Sequence, residues 1–220
     1  MKWTDLLPGI IAFGVTAVAI PILIPMLQRH NARQTEREYG PKSHLKKSGT
    51  PTMGGIGILL GILAAGLISA PRHPGIWPIL LLTLGFGAVG FYDDFLKVIL
   101  RRSDGLKAKQ KLLLEAVITA VFLVVIKLMH VPLDMRVPFT AGKMVSFGWF
   151  AYPFLFLVVL ATVNGVNFTD GLDGLASSVT AAVAIFFGVA AILLKSDIVP
   201  MPFAVLLALL AFLLYNTDPA

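Results

Sequence analysis

Apolar residues gather in seven runs, at residues 6–27, 53–70, 76–92, 112–129, 150–166, 175–194 and 201–215, with short polar segments between them. A helix of about 20 apolar residues spans the hydrocarbon core of a bilayer. The pattern therefore predicts seven transmembrane helices and an all-α, polytopic helix bundle. Several runs contain glycine or proline, which bilayer helices tolerate because neighbouring groups satisfy the freed backbone. The stretch 131–148 differs: Pro132, Pro138, Gly142 and Gly148 punctuate short β-favouring pieces such as 135–140 and predict a small hairpin. Neither a long repeat nor a low-complexity tract divides the chain, so residues 1–220 read as one integral membrane domain.

Composition supports lipid as the solvent. The chain is 57% hydrophobic and 14% charged, where soluble domains run near a quarter charged. Mean hydropathy is +0.84. The sequence has no cysteine, which excludes disulfides and thiolate metal sites. A net charge of +6 would raise nucleic acid as a partner of a soluble protein, but here the charge is unevenly placed. Arg29, Arg33, Arg37, Lys42, Lys46 and Lys47 lie between the first and second runs, and Lys97, Arg101, Arg102, Lys107, Lys109 and Lys111 between the third and fourth. Twelve of eighteen basic residues thus share one side, which the positive-inside rule makes cytoplasmic. The other side has scattered ones such as Arg72, Arg136, Lys143 and Lys195. The N-terminus and the 131–148 hairpin then lie outside. The expected partners are the bilayer and anionic groups at its surface, with no nucleic acid. One lysine precedes the first run without an evident small-residue cleavage site, so that run reads as a retained helix.

Three polar constellations fall on the basic side. Asp93 and Asp94, in FYDDFLK, sit at the inner end of the third run. Adjacent carboxylates repel, and nearby hydrocarbon adds a desolvation cost; a divalent cation or lysines would offset both. Lys97, four residues after Asp93, shares its helical face. An interfacial acidic pair with a stabilising lysine is the plainer account. The second is NGVNFTDGLDGL at residues 164–175: Asn164, Asn167, Asp170 and Asp173 recur every three residues, while Gly171 and Gly174 break the helix and let a ligand approach the backbone. A polar turn with an aspartate cap would need fewer such groups. The third is KKSGTPTMGG at residues 46–55, where Lys47 and Thr52 offer charge and hydroxyl beside accessible backbone N–H groups suited to phosphate oxygens. Walker spacing is absent, and a helix entry with positive-inside lysines explains this motif when taken alone. The basic run 101–111 is accounted for by topology, with an anionic headgroup as its further use.

Carboxylates, amides and lysines on one face are what a magnesium-bound diphosphate requires, because magnesium shares its shell among a few carboxylates, phosphates and water. KKSGTPTMGG, FYDDFLK and NGVNFTDGLDGLA, in this order over residues 46–176, resemble the motifs of the polyprenyl-phosphate N-acetylhexosamine-1-phosphate transferases. The resemblance runs on to the final segment, Tyr215 to Ala220. The GTPTMGG form is most similar to the branch that uses UDP-N-acetylmuramoyl-pentapeptide. The resemblance implies that undecaprenyl phosphate attacks the β-phosphate of that nucleotide, giving lipid I and UMP with Mg2+ as cofactor, at the cytoplasmic face of a bacterial inner membrane. It implies catalytic roles for Asp93, Asp94 and Asp170, with Asp93 either deprotonating the lipid phosphate or, in a two-step scheme, an aspartate acting as nucleophile. Lys97 would hold phosphates. Asn164, Asn167, Gly171, Leu172 and Asp173 would line the substrate pocket with Lys47 and Thr52 nearby, and Asp94 and Asp170 would contact the metal. A homodimer is the candidate assembly.

The resemblance also implies ten spans, a Gly-Asp-x-Gly-Ser motif with the principal magnesium aspartate, and a three-histidine cluster. Both motifs would fall beyond Ala220. The histidines here are His30, His44, His73 and His130, none adjacent. The expectation is a truncated product or partial gene that is inactive alone, which magnesium-dependent lipid I formation by this chain would refute. The sister transferase of GlcNAc-1-phosphate is the nearest rival. A transporter would place its polar residues near the bilayer midplane, and a structural scaffold would leave the aspartates without purpose.

Overall fold

The computed structural model describes residues 3–29, 53–98, 105–137, 139–140 and 142–216. Lys47, Thr52, most of the 29–47 basic segment and the final residues up to Ala220 lie outside these residues. Among the described residues there are seven α-helices: α1 (Trp3–Arg29), α2 (Gly55–Ser69), α3 (Ile76–Val98), α4 (Ala108–Leu128), α5 (Ala151–Thr169), α6 (Leu175–Leu193) and α7 (Pro200–Leu213). They match the seven apolar runs, and the all-α bundle expected from them is the observed fold.

Four stretches are long and apolar enough to cross a membrane: Leu6–Gln28, Ile76–Val98, Gly148–Thr169 and Leu175–Leu193. The apolar helices α2 and α7 are shorter, at 15 and 14 residues, or about 22 Å at 1.5 Å per residue. The 21-residue α4 carries Lys109, Lys111, Glu115 and Lys127 along its length. Pro8, Pro21 and Pro25 all sit inside α1 without ending it.

The core lies where α1, α2, α3 and α7 meet. Ala12, Ile62, Ala65, Leu80, Met201, Ala204 and Ala208 are buried together there. Alanine and glycine dominate this contact because lipid gives helices no hydrophobic reason to associate; close backbone approach and dispersion must do it instead. Gly61 is the tightest case. A methyl group there would lie 2.6 Å from the carbonyl oxygen of Ala12 and would collide with the Thr16 hydroxyl, which itself donates to the Gly57 carbonyl at 3.2 Å. Backbone cannot yield cheaply, so Gly61→Ala is expected to cost about 1–2 kcal/mol, read as a lowered unfolding midpoint in detergent. An unchanged midpoint would mean that α1 and α2 separate freely.

The bundle has two distinct ends. Following α4, the chain forms the expected hairpin: β1 (Met135–Arg136) pairs antiparallel with β2 (Met144–Val145), Met135 opposite Val145. At the same end, His73 Nδ1 lies 3.0 Å from Asp197 Oδ1 and the Gly75 N–H donates to Asp197 Oδ2 at 3.1 Å, tying the α2–α3 turn to the α6–α7 turn. Helix α5 then returns to the opposite end, which also holds the C-terminus of α3, the start of α4 and the turn between α5 and α6.

Candidate functional site

Helix α3 continues past its apolar part, so Asp93, Asp94 and Lys97 are all helical. Lys97 Nζ donates to Asp93 Oδ2 at 2.6 Å and lies 3.8 Å from Asp94 Oδ1. The second oxygen of Asp93 accepts the Leu106 backbone N–H at 2.7 Å. That donor is presented by Gly105, whose φ of +56° is the left-handed conformation that glycine adopts without a Cβ penalty. Asp93 is thus clamped on both oxygens and its side chain is only 14% exposed. Asp94 differs: it is 39% exposed, and among the described residues it accepts no hydrogen bond.

The loop and first turn of α4 come next. Gln110 Oε1 accepts the Lys107 N–H at 3.2 Å, fixing the helix start. One turn on, Lys111 Nζ donates to Asn167 Oδ1 of α5 at 2.9 Å. A further turn inward, Asn164 Nδ2 donates to Glu115 Oε2 at 2.7 Å and to the Leu160 carbonyl at 2.9 Å. Helix α5 ends at Thr169, with Asp170 as the residue after it. Asp170, Gly171, Leu172, Asp173 and Gly174 form the turn into α6, and Gly174 has φ +73°.

These pieces converge. The charge of Asp94 is felt together with those of Asp93, Asp170, Lys97 and Lys111, and Asp93 also feels Lys111. Aspartates 76 residues apart along the chain therefore share one end of the bundle. Met53–Gly54, the tail of the third motif, reaches this end too: Gly54 lies against Phe212 near the end of α7.

Among the described residues no group of three or more histidine, cysteine, aspartate or glutamate side chains could hold a metal ion. A full protein cage for a cation is not present in them. Asp94 and Asp170 are near enough for their charges to interact, and two carboxylates are a donor number that magnesium can use. That fits a hard cation sharing its shell with phosphate oxygens and water.

Three groups at this end of the bundle stand outside the three sequence motifs. Gly105 falls between motifs. Lys111 belongs to a basic run that topology alone explains. Glu115 is the one acid in the 112–129 run, and an ionisable residue inside an apolar span is by itself a signal of function.

The family profile described as glycosyl transferase family 4 matches residues 76–220. Proteins named phospho-N-acetylmuramoyl-pentapeptide-transferase are similar over most of the chain. That of Caldicellulosiruptor bescii is 42% identical over 96% of this chain and 66% of its own length. That of Acetivibrio thermocellus is 41% identical over 96% of this chain and 64% of its own. That of Desulforamulus reducens is 44% identical over 96% of this chain and 65% of its own. The chain spans about two thirds of the length of these relatives.

Proposed function

We propose, from the premise that this chain belongs to glycosyl transferase family 4, that its charged end binds a magnesium-associated nucleotide diphospho-sugar and presents it to a membrane-held lipid phosphate. The specific substrates we infer are UDP-N-acetylmuramoyl-pentapeptide and undecaprenyl phosphate, at the cytoplasmic face of a bacterial inner membrane. The observation that carries the reading is the meeting of Asp94, Asp170, Lys97 and Lys111 at one end of the bundle. Acids alone would suit a cation and lysines alone an anion; the mixture suits a metal-bound diphosphate.

In the reaction, an oxygen of the lipid phosphate forms a bond to the β-phosphorus. The bond from that phosphorus to the bridging oxygen breaks, and UMP leaves with the electron pair. Asp93 takes the proton of the lipid phosphate. We adopt direct attack because Lys97 and the Leu106 N–H hold both Asp93 oxygens. Those two bonds hold Asp93 as a carboxylate, the form that can accept a proton on a remaining lone pair, whereas a covalent route would need one oxygen to swing away. Lys97 and Lys111 neutralise phosphate charge, and Asn167, Gly171, Leu172 and Asp173 border the nucleotide. Asp94 and Asp170 would hold magnesium, which when bound withdraws charge from the phosphates as a Lewis acid.

The test is equilibrium binding to the chain in nanodiscs. UDP-N-acetylmuramoyl-pentapeptide is expected to bind about tenfold tighter in magnesium than in EDTA, with UDP-N-acetylglucosamine a weak competitor. Equal competition would reassign the chain to the sister GlcNAc-1-phosphate chemistry, and an absence of binding in magnesium would overturn the reading.

A further inference from the structure

A column of polar side chains crosses the α4–α5 interface at its charged end. On α4, Lys111, Glu115 and Thr119 follow one another at four-residue intervals, so they share a face. On α5, Asn164 and Asn167 share a face and Asp170 follows just past the helix end. The helices run in opposite directions, which pairs Glu115 with Asn164 and Lys111 with Asn167 as successive rungs. Glu115 is 2% exposed and Thr119 is fully buried, its hydroxyl returning to the Glu115 carbonyl.

A buried carboxylate is expensive in a membrane-spanning bundle, and it persists where a partner and a use exist. The outer rung alone cannot fix the register of the two helices, since Lys111 has a long, rotamer-rich stem. A short asparagine locked to a buried glutamate can. Sliding α5 by one residue, or rotating it by a fraction of a turn, would leave the buried Glu115 carboxylate without this donor and Asn164 with only its own-helix bond to Leu160.

We infer that Glu115 and Asn164 are positioning residues: their bond sets the rotation and register of α5 on α4, and thereby aims Asn167 and Asp170 at Asp94. Asn164 then acts through Asn167 and does not touch substrate itself. The inference rests on the reading above, in which Asn167 and Asp170 face the diphosphate.

The experiment has two arms on the full chain. In the first, lysine acylation is followed residue by residue by mass spectrometry, with the exposed Lys195 of the α6–α7 turn and Lys143 of the hairpin as internal references. Glu115→Leu is expected to make Lys111 react about tenfold faster relative to the references, as the loss of its bond to Asn167 requires. Glu115→Gln keeps a carbonyl acceptor for Asn164 and is expected to restore the parental rate. Should Glu115→Leu unfold, shown by all three lysines accelerating together, the double variant Glu115→Leu/Asn164→Leu leaves neither group unpaired and keeps the fold. Lys111 alone should then accelerate. A parental Lys111 rate in the folded single or double variant overturns the proposal, as does a Glu115→Gln protein that behaves like Glu115→Leu. In the second arm, UDP with magnesium chloride is titrated calorimetrically, and the double variant is expected to bind about tenfold more weakly than the parent. Parental affinity overturns the proposal. Failure of the parent itself to bind UDP would count against the proposed function, while the lysine rates still decide the positioning role.

Discussion

Asp94→Asn is expected to abolish the magnesium-dependent part of nucleotide binding, a loss of about 100-fold in affinity for the metal, at the upper end of what removing a supporting group around a metal costs. The prediction follows from the unequal treatment of two neighbouring carboxylates. Asp93 has both oxygens engaged and is mostly covered. Asp94 has a partly exposed carboxylate whose nearest cation among the described residues, Lys97, is 3.8 Å away. Coordinating capacity therefore resides on Asp94, with the charge of Asp170 close enough to be felt. Asparagine preserves the shape and removes the charge that a hard cation requires. The same substitution at Asp170 should act in parallel. A second measurement separates metal binding from folding. In EDTA Lys97 and Lys111 offset only part of the burial of Asp94 and its crowding by Asp93 and Asp170, so Asp94→Asn should unfold no earlier than the parent, with a gain on the order of 0.5 kcal/mol at this partly exposed position. Asp93→Asn should behave oppositely and destabilise the protein, because it breaks a charge-assisted hydrogen bond to Lys97. Calorimetric titration of UDP in magnesium and in EDTA, beside thermal unfolding, tests all three. A full magnesium increment in Asp94→Asn would remove Asp94 from the metal site.

Much of this arrangement could be read from the sequence because bilayer physics restricts the possibilities. Apolar runs long enough to cross had to become helices, since no other open structure satisfies its backbone in lipid. The end of the bundle at which each motif lies follows from counting. That counting placed Asp93 and Asp170 together although α4 and the hairpin intervene. The helix ends were less legible. The third apolar run stops at Tyr92, yet α3 continues to Val98, because Asp93 and Lys97 bond to each other along the helix and remove the reason for it to end. Pairings between helices were not legible at all. Nothing in the local pattern says that Lys111 reaches Asn167 or that Glu115 meets Asn164. Those contacts depend on the rotation of α4 and α5 about their axes, which is set by packing across the interface. Gly105 illustrates the same limit, since a glycine between two basic segments looks like a linker until the left-handed turn and its hydrogen bond are seen.

Gly105→Ala is expected to weaken magnesium–UDP binding between about 10- and 100-fold while leaving the ratio of affinities in magnesium and EDTA intact. Two effects act on the substituted residue. The left-handed φ of +56° costs alanine about 1–2 kcal/mol that glycine does not incur. A Cβ built there would also lie 2.5 Å from Asp93 Oδ1 and 2.7 Å from Lys97 Cε, closer than such atoms approach. Lys97 can swing its chain aside, but Asp93 is tethered by the 2.7 Å bond from Leu106, the very next residue. Relief therefore requires the turn to move and the Leu106 N–H to let go, which frees one oxygen of Asp93 and unseats Lys97. Displacement of about 1 Å at positioned charges is enough for a loss of this size. Among the described residues no hydrogen bond joins Asp94 or Asp170 to Gly105 or Leu106, so the metal increment should survive, in contrast to its disappearance in Asp94→Asn. The pair of variants thus divides the site into a part that holds phosphate charge and a part that holds the cation. If Gly105→Ala bound nucleotide as the parent does, the Asp93–Lys97 clamp would be independent of its turn; if the magnesium increment vanished as well, the two carboxylates would be acting as one unit.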